Sequence, residues 1–135
     1  MSDQILKGVR VLDLTNVLAG PFATLHLALL GAEVIKIERP GSGDLARKLG
    51  TLSELNEQLM GTSFLAQNSN KQSVTLNTKS PEGKEIFKKL AKDADVLVEN
   101  FRPGVMDRLG LSYDILKEIN PGLIYCAISG FGQTG

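Results

Sequence analysis

The chain has 135 residues, 42% hydrophobic and 22% charged, with net charge +0. That is enough apolar material for one domain with its own core. The neutral balance excludes the basic footprint of a nucleic-acid binder. No apolar run reaches the roughly 18 residues that span a bilayer, and the single cysteine, Cys126, excludes an internal disulfide.

In chain order, VRVLDLT (9–15) alternates apolar and polar residues and predicts a strand. NVLAG follows, then Pro21, which suits the first turn of a helix because its missing N–H would be unpaired there anyway. The helix over 21–30 is apolar on nearly every side and is expected to be well buried, with Gly31 as its stop. EVIKIE (33–38) predicts a second strand and RPGSGD a turn cluster. Residues 44–70 have weak periodicity and read as an excursion with one or two short helices. QSVTLN (72–77) is a third strand. Ser80 is placed to cap a helix that begins at Pro81 and carries one apolar stripe, Ile86, Phe87, Leu90 and Ala91. DVLVEN is a fourth strand, RPGVMDRLG a short helix ending at Gly110, and Ser112 opens a helix that stops before Pro121. LIYCAI is the last strand. Strands alternating with helices predict an α/β fold, a parallel sheet with helices on both faces and right-handed crossovers.

Ligands of such sheets sit outside the carboxyl ends of the strands. Four strand-end loops therefore matter: NVLAGP, ERPGSGD, NTKSP and ENFRPG. Each leads toward a helix start, where backbone N–H groups attract anions. Three carry a cation, Arg39, Lys79 and Arg102, and Arg108 lies one helix further on. Exposed cations near loops usually stay solvated or pair with carboxylates, so Arg39 could pair with Glu38 or Asp44, and Lys79 could simply precede a helix. Four cations at the ends of one sheet nevertheless suggest a ligand with several phosphates.

The G-x-G-x-x-G fingerprint of dinucleotide folds is absent; this turn has only Gly20 before Pro21. Glu38 stands where a ribose-binding acid would, but Arg39 follows it and suits a phosphate better, since a guanidinium grips phosphate with two hydrogen bonds. His26, the one histidine, lies mid-helix and is expected to point into packing. Cys126 is expected to be a buried, inert thiol. Neither has a partner for nucleophilic catalysis or a metal cluster. Asp44 is expected to cap the segment after it. From these residues alone, a nucleotide-like or coenzyme A-like ligand is indicated and the reaction stays open.

The stretch GVRVLDLTNVLAGPFATLHLALLGAEVIKIERPGSGD resembles the opening of the class III (CaiB/BaiF) CoA-transferases. So do NKQSVTLN, SPEGK, DVLVENFRPGVMDRLG and SGFGQTG, in the family's order and across nearly the whole chain. The resemblance implies a Rossmann-like large domain with a separate small domain, and two subunits interlocked as a homodimer; the cytoplasm is expected because MSDQILKGVR lacks a signal-peptide core. It implies transfer of coenzyme A from an acyl-CoA to a carboxylic acid through an aspartyl anhydride and an aspartyl-CoA thioester. Coenzyme A is then a substrate, with no permanently bound cofactor, metal, nucleic acid or membrane involved.

Carried onto this sequence, Leu18 and Ala19 match positions lining the adenine and pantetheine, and Arg39 the arginine near the adenosine end. Leu76, Asn77, Thr78 and Lys79 match the loop over the nucleotide. Asn100, Phe101 and Arg102 match the loop beside the pantetheine arm, and Arg108 a phosphate-binding arginine. Asn16 departs from the histidine found there in some members. The family's catalytic aspartate is expected beyond Gly135, so residues 1–135 are expected to be the CoA-binding portion of the large domain, a fragment without nucleophile or small domain. An acyl-CoA racemase of the same superfamily and a non-catalytic CoA- or nucleotide-binding fragment are the alternative readings.

Overall fold

The structure, a computed structural model, describes residues 4–134. Five strands form one sheet: β1 (Arg10–Asp13), β2 (Glu33–Glu38), β3 (Gln72–Thr75), β4 (Val96–Glu99) and β5 (Ile124–Ala127). Their order is β3-β2-β1-β4-β5 and every pairing is parallel. This is the order of the first five strands in a doubly wound sheet. The expected α/β class holds, with β1 and β3 shorter than their sequence runs. Beyond β3, the Leu76 N–H still reaches Glu38 O at 2.8 Å, but the chain then turns, Ser80 N–H bonding to Asn77 O at 3.1 Å.

Successive strand residues face opposite sides, and this splits the core in two. Leu12 and Leu97 pack on one face with Phe87, Ala91, Leu111 and Leu116, supplied by α4 (Pro81–Lys92), α5 (Val105–Leu109), α6 (Tyr113–Ile119) and their connections. Val11, Val34 and Val98 pack on the other with Ala28 of α1 (Ala19–Leu29). Helix α4 starts as expected, with Ser80 Oγ accepting from Gly83 N at 3.0 Å and Pro81 in the first turn. Ser112 precedes α6 without a side-chain cap.

Five expectations change. The excursion holds three short helical pieces, a 3-10 turn Leu45–Lys48, α2 (Ser53–Glu57) and α3 (Thr62–Asn68). Helix α1 buries one face only; Phe22, Leu29 and Leu30 are exposed because no element of the described residues covers them. His26 is likewise exposed, with its ring 4.4 Å from that of Phe22 and Nδ1 2.9 Å from Phe22 O. Cys126 is exposed because β5 is an edge strand, and Ile86 lies outside the buried part of its stripe.

One glycine and one carboxylate lock the elements at the carboxyl end of the sheet. A Cβ on Gly20 would fall 2.3 Å from Cβ and Cγ2 of Thr15, so only glycine lets α1 start this close to β1. Glu38 is 4% exposed at the end of β2. Arg47 grips it with two bonds, of 2.6 and 2.7 Å, while lying 3.7 Å over the Phe64 ring. Ser73 Oγ and the Asp44 amide complete its shell at 2.6 and 2.9 Å. Burial opposes the charge, but these donors outweigh it and lower the carboxyl from 4.5 to about 2.

Two outcomes follow. Gly20→Ala gains helix propensity of up to about 1 kcal/mol, yet Thr15 is buried, branched and unable to retreat, so overpacking on the order of 1–3 kcal/mol dominates. Urea denaturation will show a net loss; an unchanged midpoint would contradict the close approach. A carboxyl with a lowered folded pKa contributes stability that is complete above 4.5 and is lost as pH falls toward 2, here on the order of 3 kcal/mol. The stability gap between wild type and Glu38→Gln, followed by denaturant unfolding, will therefore shrink from pH 5 to pH 2. A constant gap would remove Glu38 from that role.

Candidate functional site

Strand order reverses at β1: the chain goes from β1 to β2 on one side, and from β3 to β4 on the other. The crevice outside β1 and β4 is thus the place where such sheets take ligands. Asn16 and Asn100 meet across it. Asn16 N–H donates to Asn100 Oδ1 at 2.8 Å, and Asn100 Nδ2 donates to Asn16 O at 2.9 Å. Val17, next in the loop, has φ +70°. Leu18 N–H bonds back to Asn16 O at 3.1 Å. Together these mark a γ-turn of the strained, positive-φ kind. For a β-branched residue that conformation costs on the order of 1–3 kcal/mol and persists only where neighbours hold it.

Two buried lysines stand beneath this turn. Lys36 and Asp44 are each 1% exposed in their side chains and lie 2.9 Å apart. Asp44 Oδ2 takes no aligned hydrogen bond there, so the contact is an ion pair. Lys36 Nζ donates to Thr15 O at 2.8 Å, and Asp44 Oδ1 accepts from Val17 N at 3.0 Å and Ala46 N at 2.9 Å. Asp44 is thus the expected cap of the next segment and also a support of the β1–α1 loop. Lys71 reaches Asp13 Oδ2 at 3.0 Å, and also Pro21 O, Thr24 Oγ1 and Asn68 Oδ1. Burial lowers the Lys71 pKa, against the pull of Asp13. Asp13 Oδ1 also accepts the Thr15 amide at 2.9 Å. Sequence reasoning passed over Lys36, Arg47 and Lys71; the available signal for Lys36 was a lysine flanked by Ile35 and Ile37 in a strand whose charges should sit at the ends.

The expected site residues lie along this rim in strand order. Leu76, Asn77, Thr78 and Lys79 follow β3, with Leu76 buried, Thr78 half-buried and Asn77 and Lys79 exposed. Arg39 follows β2 and is exposed. Both carboxylates that it could have paired with are taken, Glu38 by Arg47 and Asp44 by Lys36. Leu18, 60% exposed, and Ala19 follow β1, at a helix start without a side-chain cap. Asn100 and Phe101 follow β4 and are half-buried, with Phe101 N–H bonded to Glu99 Oε2 at 2.8 Å.

Arg102 is exposed and faces a cavity of about 570 Å3 between β4, β5 and α6, shared with Glu99 and Tyr125. Burial raises the pKa of Glu99 and of Tyr125, whose O–H lies 3.3 Å from Glu99 Oε1. Arg108 is exposed on α5, with its guanidinium near Gly104. Among the described residues, Arg39, Lys79, Arg102 and Arg108 form no salt bridge. Arg39 and Lys79 thus stand on one side of the crevice and Arg102 and Arg108 on the other. Strands β2 and β4 are separated by β1 alone, roughly 10 Å, so an extended ligand is needed to meet both pairs. Glu38 cannot serve as a ribose acceptor, since four donors already surround it.

The sequence profile of CoA-transferase family III matches residues 6–135. The chain is 53% identical over 130 residues to the succinyl-CoA:glutarate CoA-transferase of Mus musculus, covering 96% of this chain and 29% of that protein. It is 50% identical over 127 residues to the formyl-CoA:oxalate CoA-transferase of Rhodopseudomonas palustris (strain HaA2), covering 94% of this chain and 29% of that protein. Among solved structures, a CAIB/BAIF family protein from Brucella suis superposes with a TM-score of 0.86 at 42% identity, covering 96% of this chain and 34% of that one. A hypothetical protein, Rv3272, from Mycobacterium tuberculosis gives a TM-score of 0.86 at 43% identity with the same coverage. The chain therefore spans about three-tenths of the curated relatives it matches, and it belongs to CoA-transferase family III.

Proposed function

We propose that the crevice outside β1 and β4 holds coenzyme A, and that this chain is the CoA-binding part of an enzyme that moves CoA from an acyl-CoA to a carboxylic acid. One observation carries the reading. Arg39 and Lys79 stand unpaired on adjacent loops beside an uncapped helix start, while the buried carboxylates Asp13, Glu38 and Asp44 each have a cation of their own. Free guanidinium and ammonium groups with open N–H donors suit phosphate oxygens. Leu18, Ala19 and Phe101 offer apolar surface for the pantetheine arm between them. Arg102 and Arg108 lie where the far end of an extended ligand would pass.

In the transfer itself, an aspartate carboxylate attacks the thioester carbonyl and expels the CoA thiolate, leaving a mixed anhydride. The thiolate then attacks the aspartyl carbonyl and releases the first acid. The acceptor carboxylate takes the acyl position on the resulting aspartyl thioester and frees the thiolate again, which attacks the acceptor's carbonyl to give the new acyl-CoA and restore the carboxylate. The rim aspartates do not fit the nucleophile's part. Asp13 and Asp44 are fully buried and bonded to lysines. In this reading the nucleophile lies beyond Gly135, and the interlocked dimer and a cytoplasmic setting belong to the same reading.

Calorimetric titration of the chain with free coenzyme A will show binding. Arg39→Ala will weaken it by on the order of 1.5–3 kcal/mol, roughly ten- to hundredfold, while Lys89→Ala on the outer side of α4 will leave it unchanged. Equal affinities for wild type and Arg39→Ala would remove Arg39 from the site. The 135-residue chain, supplied with an acyl-CoA and a carboxylic acid, will show no CoA transfer; measurable turnover would place the nucleophile within it.

A further inference from the structure

We infer that Lys36 and Asp44 are positioning residues: their buried pair holds Val17 in its left-handed turn and so presents Leu18 and Ala19 at the crevice. The inference rests on the coenzyme A reading above. Three consecutive residues of the β1–α1 loop have their backbone groups held by side chains from elsewhere in the chain. Lys36 takes Thr15 O, Asn100 takes both N–H and O of Asn16, and Asp44 takes the Val17 N–H. Val17 itself sits at φ +70°, a conformation valine does not choose unaided. These contacts, and the Leu18-to-Asn16 bond they enclose, oppose that strain; the Gln67 side-chain amide, oriented to donate, adds bonds to Leu18 O at 2.9 Å and Val17 O at 3.3 Å.

The chemistry of the pair supports a task beyond packing. A buried ion pair contributes little net stability over an apolar pair of similar volume, because both ions lose their water. What Lys36 and Asp44 do that a methionine and a leucine could not is supply one donor and one acceptor to the loop on either side of Asn16. Asp44 also caps the 3-10 turn through the Ala46 amide, so the loop after β2 and the loop after β1 are set by one carboxylate. Release of the pair lets Val17 relax to negative φ. That moves Leu18 and the first turn of α1 away from the geometry in which a ligand would meet them.

The test uses the paired replacement Lys36→Met with Asp44→Leu, which leaves no lone buried charge, together with Val17→Gly alone and in that background. Affinity for coenzyme A is read on each protein, and on the proteins that keep Val17 the backbone geometry of that residue is read by NMR, where a short HN–Hα distance within the residue marks positive φ. In the paired variant the short contact is expected to vanish and CoA affinity to fall about tenfold, as the binding-competent population shrinks. Val17→Gly alone is expected to bind within about twofold of wild type, because glycine takes positive φ without strain. Adding Val17→Gly to the paired variant is expected to recover most of the lost affinity, which a general loss of stability would not allow. Retention of positive φ at Val17 in the paired variant overturns the inference, as does a triple variant that binds no better than the paired one. Should the wild-type chain bind no coenzyme A, the functional reading falls, and the NMR comparison alone decides the clamp.

Discussion

Between Asp13 and Ala19 the backbone must leave the central strand and enter a helix that packs back onto the same sheet. In dinucleotide folds glycines make that bend. Here one glycine, Gly20, allows the close approach to Thr15, and the rest of the bend is carried by residues with side chains. The consequence is a valine in the left-handed region and a loop whose N–H and C=O groups are bonded to Lys36, Asp44 and Asn100. The fold around the crevice depends on this substitution of side-chain hydrogen bonds for glycine freedom. It accounts for the burial of the Lys36–Asp44 ion pair.

The same bonding sorts the cations into two populations. Lys36, Arg47 and Lys71 each hold a buried carboxylate. They neutralise Asp44, Glu38 and Asp13, so no acidic group at the carboxyl ends of β1 and β2 is left to neutralise a neighbour. Arg39 is the residue that gains from this. It follows Glu38 directly and is exposed, yet forms no salt bridge with a carboxylate whose acceptor sites Arg47, Ser73 and the Asp44 amide already occupy. An exposed guanidinium with no internal partner need not break an ion pair before it exchanges water for phosphate oxygen.

Much of this architecture was legible in the sequence, for identifiable reasons. The alternation of short apolar strands with capped helices fixed the parallel sheet, and Ser80-Pro81 located the start of α4 to the residue. The strand-end loops and their cations were readable because topology alone decides which ends matter. The interior ionic groups were not. A buried Lys36 looks in sequence like any surface lysine, and its partner Asp44 is eight residues away across a turn whose shape no local rule supplies. The positive φ at Val17 was hidden for the same reason, since it is imposed by three distant side chains against the preference of the residue itself. His26, Cys126 and the outer face of α1 are exposed although their neighbours in sequence are apolar, because apolar neighbours in sequence need not be packing partners in space. Exposure there follows from what the rest of the described residues leave uncovered.

The choice between a nicotinamide-type and a CoA-type ligand then turns on the end of β2. An acid that binds ribose must present free acceptor oxygens to the crevice, and Glu38, with a carboxyl held at about 2 by its donors, has none to give. Freeing it would cost the Arg47 grip and the seat of the Ser73 hydroxyl together, with the cation–π contact of Arg47 on Phe64 lost as well. The group that does face outward at that strand end is cationic. On the proposed reading, a ligand entering there brings negative charge in more than one place, because Lys79 lies on the next loop and Arg102 and Arg108 lie two strands across. A compact monophosphate reaches one of these positions; a diphosphate joined to a phosphorylated ribose is long enough to engage both sides, which is why the proposed ligand follows from the spacing of the cations as much as from the family.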